Sequence, residues 1–420
     1  MAQLSRDDEA FGALMTLDEA AARVATLAAP VVGIETVPLA QADGRVLARD
    51  IAAPVDLPPF ANSAVDGYAV RHGDLARAGP SRLPVGGRVA AGADAAGVAV
   101  QGVQGIAVRV FTGAPMPQGA DTVFMQEDVV LEGAVAVLPA GLAKGANARP
   151  AGEDIARGQP AVAAGQRLRP QDLALLSALG LTVVAVRRRP RVAIFSTGDE
   201  LTEPGNPLGP AAIYDANRAL LRAMVTRAGA EVVDLGILRD EAAGLARSLA
   251  DAAGSCDLVL TSGGVSTGEE DHVKAALEQV GDLAFWRIGI KPGRPVALGR
   301  IGAVPFIGLP GNPVAVFVTF AFVARALIAR LAGAVPVRPV ALPVRLGFPY
   351  RKKEGRREYV RVSLEPGADG IMTARKHPQD GAGVLTSLTR TDGLVELAED
   401  TTRIAEGTVV PFLAYGLLFG

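Results

Sequence analysis

Thr261-Ser262-Gly263-Gly264 ends an apolar run, Asp257–Leu260, and is followed by Ser266-Thr267-Gly268 and then by Glu269, Glu270 and Asp271. Two glycines at the end of a strand let the backbone turn sharply and approach a ligand with no Cβ in the way. Free N–H groups and hydroxyls at such a strand end cradle an oxyanion. Carboxylates beside them can hold a hard divalent cation. The same residues also read as an ordinary βα loop running into a solvated acidic helix start, because Gly-rich loops of this kind are common.

A second stretch supplies opposite charge. Trp286-Arg287-Ile288-Gly289-Ile290-Lys291-Pro292-Gly293-Arg294-Pro295 places three cations within eight residues, held by turn residues. Such a loop can neutralise phosphates or an oxyanion; the alternative is a cationic surface turn. Three further polar stretches, Ser196-Thr197-Gly198-Asp199-Glu200, Gly308-Leu309-Pro310-Gly311-Asn312-Pro313 and Arg149-Pro150-Ala151-Gly152-Glu153-Asp154, join the list. In the last, Arg149 can act as an anion fork, or the whole segment can be a solvated charged loop. Two N-terminal loops are dense in small polar groups: Pro58-Pro59-Phe60-Ala61-Asn62-Ser63-Ala64-Val65-Asp66-Gly67-Tyr68 and Phe111-Thr112-Gly113-Ala114-Pro115.

The elements that must position these loops follow from hydrophobic pattern. Thr16 and Glu19 form a capping box, and the helix after it puts Leu17, Ala20, Ala21, Val24 and Leu27 on one face before Pro30 stops it. Residues 31–55 read as short strands. Residues 70–148 are short Val/Ala runs alternating with Gly, a small β-rich module. Pro170 opens a helix over Gln171–Leu179 that Gly180 ends. From 190 to 332, apolar strands at Arg191–Ser196, Val232–Leu238, Asp257–Thr261 and Val304–Leu309 alternate with helices near Asp215–Ala228, Glu241–Ala253, Asp271–Val280 and Pro313–Leu331. That alternation predicts a parallel sheet covered on both faces, with binding loops at the carboxyl ends of its strands. No Walker A or G-x-G-x-x-G motif is present, which counts against ATPase and dinucleotide readings. After Gly333 the period drops to two, with strands at Val340–Leu346, Glu358–Leu364, Ile371–Ala374, Leu394–Leu397 and Thr408–Leu413 and no convincing helix: a separate β domain or barrel. The basic run Arg351–Arg357 reads as a solvated hairpin tip, with RNA contact as the alternative.

Composition narrows the classes. The chain has 420 residues and a formal net charge of −2, enough length for two to four domains and no global electrostatic case for nucleic acid. Cys256 is the single cysteine, so no intrachain disulfide forms, as suits a reducing cytosol. Three scattered histidines, His72, His272 and His377, with one cysteine argue against a His/Cys zinc site. The N-terminus is polar and acidic, unlike a secretory signal. Pro313–Leu331 is the one membrane-like run; an Asn-Pro start and two arginines make it a buried helix instead.

Taken in order, PPFANSAVDGYAV, FTGAPMP, RPAGEDI, STGDEL, YDANR, TSGGVSTGEEDHVK, IKPGRP and GLPGNPVAVFV resemble the molybdopterin molybdenumtransferase family, which includes the C-terminal enzymatic part of gephyrin. They lie within residues 54 to 320, and the β tail suits the family's last domain. The resemblance implies an α/β plus β, multidomain subunit: an N-terminal helix within 1–30 packed on the central α/β domain, a layer from 31–55 and 150–181, an inserted β-rich module over 56–149, an α/β molybdopterin-binding domain over 182–333 resembling the molybdopterin adenylyltransferase fold, and a C-terminal β domain over 334–420. It implies insertion of molybdate into adenylylated molybdopterin with Mg2+-dependent release of AMP. It also implies a cytoplasmic homodimer with intersubunit sites, in transient contact with the adenylyltransferase and with cofactor-accepting enzymes, and without nucleic acid or membrane.

Carried over motif by motif, the resemblance implies catalytic roles for Asp66, Asp154, Glu200, Asp240 and Asp271. Substrate contacts fall to Thr112, Arg149, Thr197, Gly198, Ser262, Gly263, Gly264, Ser266, Arg287, Lys291, Arg294, Pro310, Pro313 and Ser387. Asp199, Glu200 and Asp271 are the implied Mg2+ ligands. Arg287 and Arg294 stand where some relatives have Lys, and Gly381-Ala382 departs from a Gly-Ser in the tail. Two other functions fit parts of the chain: the adenylyltransferase of the preceding step, and a gephyrin-like scaffold without enzymatic activity.

Overall fold

The computed structural model describes residues 14–27, 29–31, 33–93, 103–239, 242–264, 272–367 and 369–419. At the N-terminus the capping box forms. The Thr16 N–H donates to Glu19 Oε2 at 2.8 Å and the Glu19 N–H to Thr16 Oγ1 at 3.2 Å. The helix Leu17–Leu27 buries Leu17, Ala20 and Val24 against the long apolar helical segment that ends at Leu331.

Next comes a small layer. Ile34–Pro38 pairs antiparallel with Val183–Arg187, and Ile51–Ala52 with Pro160–Val162. Val37, Leu47, Leu168, Leu176, Val184 and Val186 fill its core under the helix Pro170–Ala178. Val183–Arg187 thus lies with this layer, beyond the expected limit at 181, because its inward residues Val184 and Val186 meet Val37 and Leu47.

The inserted module is entered and left through one antiparallel pair, Asn62–Ser63 with Ala148–Arg149. Its six-stranded sheet runs in the order Thr122–Met125, Gly67–Val70, Ala107–Val110, Ser81–Val89, Val135–Leu138, Val130–Glu132. Two apolar clusters, one around Tyr68 and Phe124 and one around Val108 and Val123, pack with it.

In the central domain Glu231–Leu238, Arg191–Thr197, Leu258–Ser262 and Val304–Leu309 pair in parallel, in that order. The expected parallel sheet is extended by two antiparallel strands, Pro295–Ile301 and Gly281–Arg287. The cationic stretch is therefore the connection between two strands of the sheet, and its ends are fixed by the ladder. Burial on both faces explains the near-continuous apolar runs. Ile194, Leu260 and Ile307 face one core, while Ala193, Val259 and Phe306 face the other. The run Pro313–Leu331 is one continuous helical segment with a wider π turn at Phe320–Ala324. It is long and apolar enough to cross a membrane by composition, yet 72% of its most apolar window lies inside the protein.

The tail closes on itself. Arg357–Pro366, Met372–Lys376, Leu342–Leu346, Val409–Ala414 and Gly393–Leu397 pair in sequence, and Gly393–Leu397 returns to Arg357–Pro366, giving a closed five-stranded barrel. Two short helices, Thr386–Thr389 and Tyr415–Phe419, add to the expected all-β pattern. The tip of the basic run is exposed as expected, at Arg351, Lys353, Glu354 and Gly355, while its other cations are paired. Arg356 pairs with Glu358 at 2.9 Å, Arg357 with Glu396 at 2.9 Å and Glu399 at 3.1 Å, and Lys352 Nζ donates to the Arg356 carbonyl at 2.7 Å. Lys352, Arg356 and Arg357 are thus half-buried and engaged by acids and carbonyls of the barrel.

Candidate active site

A cleft of about 770 Å³ opens at the carboxyl ends of the parallel strands, where the central domain meets the barrel. The loops after Thr197, Ser262 and Leu309 form its floor. Thr197, Gly198, Glu200, Gly263, Gly264 and Pro310 line it there, and Arg287, Lys291 and Arg294 line the cationic wall. These are nine of the residues singled out in the sequence. The facing wall was not anticipated. Tyr350, Glu358, Tyr359, Arg361 and Asp380 come from the barrel.

The floor is built by close approach. Gly263 has φ +87°, and a Cβ on it would stand 2.7 Å from the Thr197 carbonyl oxygen; its N–H meanwhile donates to the Leu309 carbonyl at 3.1 Å. Ser262 lies one layer beneath, fully buried, its hydroxyl 3.2 Å from that of Ser196. The Glu200 carboxylate folds back over Gly198, where a Cβ would come within 2.6 Å of it. Thr197 Oγ1 is buried without a hydrogen-bond partner at the same strand end. The first turn of the helix Asn217–Arg227 braces this floor. Asn217 Nδ2 donates to the Gly311 carbonyl at 2.6 Å, and Arg218 pairs with Asp215, Asp234 and Glu203.

On the barrel wall, Glu358 is 1% exposed and accepts from Lys291 Nζ at 3.2 Å, the Tyr350 hydroxyl at 2.9 Å and Arg356 Nε at 2.9 Å. Arg361 is also buried. Its Nη2 donates to the Gln379 carbonyl at 3.2 Å, while its Nε has no partner. The loop carrying Ala382 reaches the other domain, where the Val314 N–H donates to the Ala382 carbonyl at 3.0 Å. Buried charges set in the apolar run Glu358-Tyr359-Val360-Arg361 were the signal for this wall, since such groups rarely enter a core unpaired.

The remaining predicted residues lie elsewhere. Asp199 is exposed beside Glu200 but does not line the cleft, and Pro313 opens the helix behind it. Ser387 is fully buried and donates to the Val384 carbonyl at 2.5 Å, so its hydroxyl is occupied within the barrel. Asp66, Thr112, Arg149 and Asp154 sit on the inserted module and its exit and do not line this chain's cleft. Arg149 Nε donates to Glu153 at 2.6 Å, so the expected anion fork is engaged by a neighbouring acid. Asp154 is exposed, its N–H held by the Leu57 carbonyl at 2.9 Å. Asp240, Ser266 and Asp271, with Glu269 and Glu270, fall outside the described residues.

Asp66 and Thr112 do meet. Asp66 Oδ1 accepts from the Thr112 N–H and from its hydroxyl, both at 2.8 Å. These two donors, the backbone one first, hold the Asp66 carboxyl below its ordinary value. Thr112→Val, which keeps only the N–H, is expected to move that value part of the way back up, as read by carbon NMR titration. The sign follows from linkage. A folded-state value below the unfolded one stabilises at neutral pH, and that contribution is lost as pH falls through the folded value. The pH-dependent part of the stability difference between variant and wild type is therefore expected at pH 7 and lost as pH falls through the folded-state value of Asp66.

Three family models match the chain: MoeA N-terminal region (domain I and II) over residues 15–180, probable molybdopterin binding domain over 193–330, and MoeA C-terminal region (domain IV) over 343–415. A Haemophilus influenzae protein named molybdopterin molybdenumtransferase is 35% identical over 409 residues, covering 97% of this chain and all of that protein. Molybdopterin molybdenumtransferase 2 of Mycobacterium tuberculosis is 37% identical over 386 residues, covering 89% of this chain and 93% of its own length. Among solved structures, the molybdopterin biosynthesis moeA protein of Pyrococcus horikoshii OT3 superposes with a TM-score of 0.82 at 32% identity, covering 96% of this chain and all of that one.

Proposed function

The chain belongs to the molybdopterin molybdenumtransferase family, enzymes of molybdenum cofactor biosynthesis that insert molybdenum into molybdopterin, and from that premise we propose that it takes molybdate and adenylylated molybdopterin and releases AMP with the help of Mg2+ in the cleft between central domain and barrel. The observation that carries this reading is the cleft's composition: cations on one wall, the Glu200 carboxylate and glycines on the floor. Molybdate is a dianion and the adenylylated substrate carries a pyrophosphate link, so both need positive charge where water is thinned out. Lys291, Arg287 and Arg294 supply it, and Arg361 adds a buried guanidinium from the barrel.

For Mg2+, the hard oxygens at the floor are the Glu200 carboxylate and the unpartnered Thr197 Oγ1, with the exposed Asp199 carboxylate next to Glu200 outside the cleft lining. Among the described residues, no group of three or more His, Cys, Asp or Glu converges on a metal position. One or two carboxylates with substrate phosphates and water are the usual Mg2+ set, so the residues present suit it, and Asp271 is the acid that would join them. Bound there, Mg2+ would offset charge on the pyrophosphate link. The floor glycines bring backbone close to the phosphates, and the cationic wall holds the second anion beside them. No protein nucleophile is required, in keeping with Cys256 lying buried in an apolar cluster.

Four motif residues, Asp66, Thr112, Arg149 and Asp154, point to the second half of the proposal: a cytoplasmic homodimer in which the N-terminal module of one subunit completes the cleft of the other. Their absence from this chain's own cleft, beside the paired Asp66–Thr112, supports it. Mixed dimers test it. If Asp66→Asn and Lys291→Met subunits are each inactive, an equal mixture is expected to regain about a quarter of wild-type activity, since half the dimers are mixed and each has one intact site. Sites contained within one chain would regain none.

The reaction is tested by measuring AMP release from adenylylated molybdopterin with and without molybdate and Mg2+, and by following molybdenum in the product. Molybdate-dependent AMP release with molybdenum on the pterin is the expected result. ATP consumption with free molybdopterin would instead indicate the adenylyltransferase. Absence of either activity from a folded dimer, with peptide binding that survives loss of the acidic residues, would indicate a scaffold.

A further inference from the structure

One group in the cleft runs against its charge. Glu358 is the second residue of the barrel strand Arg357–Pro366, and a carboxylate in an anion-binding cleft repels the ligands that the cleft is built to hold. It is nevertheless fixed there. The short strand Ile290–Lys291 leaves the central domain and pairs in parallel with the barrel strand, with Lys291 opposite Glu358. The backbone register of two domains thus brings this ammonium to this carboxylate.

The remaining partners hold the carboxylate still. Oε2 accepts from both Lys291 and Tyr350, while Oε1 accepts from Arg356. Tyr350 is a constant donor, because burial and the adjacent Glu358 charge push its phenol well above the ordinary value and keep it protonated. Arg356 lies two residues away, just before the same strand. Lys291 is different: its side chain is 46% exposed toward the cleft. An ammonium has three N–H donors, so one can stay on Glu358 while the others reach a ligand. A lysine otherwise carries a flexible four-carbon stem whose freedom must be lost when an anion fixes it.

We propose that Glu358 is a positioning residue for the reaction: it tethers the Lys291 ammonium at one point of the cleft, placing the charge for turnover while lowering ground-state affinity for the anion. The inference rests on the reading of Lys291 as an anion contact. It sets Glu358 apart from an ordinary structural acid, whose loss would weaken binding and turnover together.

The test uses the full-length dimer and two measurements, equilibrium dialysis with radiolabelled molybdate and steady-state AMP release. Glu358→Gln is expected to lower kcat by about 10- to 100-fold while tightening the molybdate Kd by about threefold to tenfold. Glu358→Asp, which restores the charge, is expected to recover most of the lost kcat. In a Lys291→Met background, Glu358→Gln is expected to add no further loss, because coupled groups are non-additive. Parallel loss of kcat and affinity, no change in either, or the same loss with and without Lys291 would overturn the proposal. If Glu358→Gln does not fold, Tyr350→Phe takes its place. It loosens the carboxylate without removing it, so a severalfold loss of kcat at unchanged Kd supports the tether, and an unchanged kcat overturns it. Should wild type release no AMP, the reaction assigned above fails by itself, and the dialysis arm still decides whether Glu358 restrains anion binding.

Discussion

Gly263→Ala is expected to abolish most activity, by about 100-fold or more, while leaving the protein folded. At φ +87° an alanine is strained by about 1–3 kcal/mol, and its Cβ would stand 2.7 Å from the Thr197 carbonyl oxygen. Backbone on both sides blocks relief. Thr197 ends a central strand paired with Leu258–Ser262, and the Gly263 N–H is bonded to the Leu309 carbonyl on the other neighbour. The loop can accept the methyl only by moving off the sheet, and a shift of about 1 Å at a reacting centre costs on the order of a hundredfold. The two cores beneath, around Ile194 and Phe195, and the closed barrel are untouched, so a fall in melting temperature of a few degrees is expected rather than unfolding. Thermal denaturation and kcat/KM, measured together, check this. Gly244→Ala is the control. It lies exposed in the helix Ala242–Ser255 with open space around its α-carbon, and helix propensity makes alanine there neutral or stabilising by up to about 1 kcal/mol. Equal losses in both variants would remove the loop geometry as the cause.

The contrast between those two glycines also separates what could be read from the chain from what could not. The loop at Gly263 was legible because a parallel strand buried on both faces leaves a local trace: an apolar run, then glycine and hydroxyls. The same trace gave the strands ending at Thr197 and Leu309, and hence the cleft floor. The strands Gly281–Arg287 and Pro295–Ile301 left a weaker trace, because the cationic turn between them carries its own proline and glycine signals and drew the whole stretch into a loop. Ile290–Lys291 was invisible in principle. It is two residues long, and its partner Glu358 is 67 positions away, so no local pattern encodes the pairing. Glu358, Tyr350 and Arg361 were passed over for a related reason. In a strand that meets the barrel core on one side and a second domain on the other, polar residues at either phase look like outward positions. Motif resemblance carried residue types but not surroundings. Ser387 matched as a hydroxyl, yet that hydroxyl is turned to Val384. Arg149 matched as a cation, yet it is engaged by Glu153. Asp66 and Thr112, 46 positions apart, matched separately and are joined by two hydrogen bonds.

Lys291→Met is expected to lower kcat/KM by about 100- to 1,000-fold, more than the loss of Arg287 or Arg294. A preorganised charge aimed at developing negative charge in a sheltered site is worth a few kcal/mol of barrier, which sets the scale. Lys291 should exceed the other two because its removal acts twice. The cleft loses a cation, and the carboxylate of Glu358, 1% exposed and 3.2 Å from the missing ammonium, stays behind with only Tyr350 and Arg356 to compensate it. A buried charge deprived of a partner is costly, so some loss of stability is expected as well, at the seam between the central domain and the barrel. Lys291→Arg keeps the charge but replaces a compact ammonium by a planar fork; it should bind molybdate and turn over slowly. The decisive comparison is Lys291→Met with the double variant Lys291→Met/Glu358→Gln, followed by AMP release and thermal denaturation. Removing the stranded carboxylate is expected to restore melting temperature and leave turnover no lower than in Lys291→Met alone. If the double variant is instead the product of two independent losses, Lys291 and Glu358 do not act as a unit, and the cationic wall works through summed charge rather than through one placed ammonium.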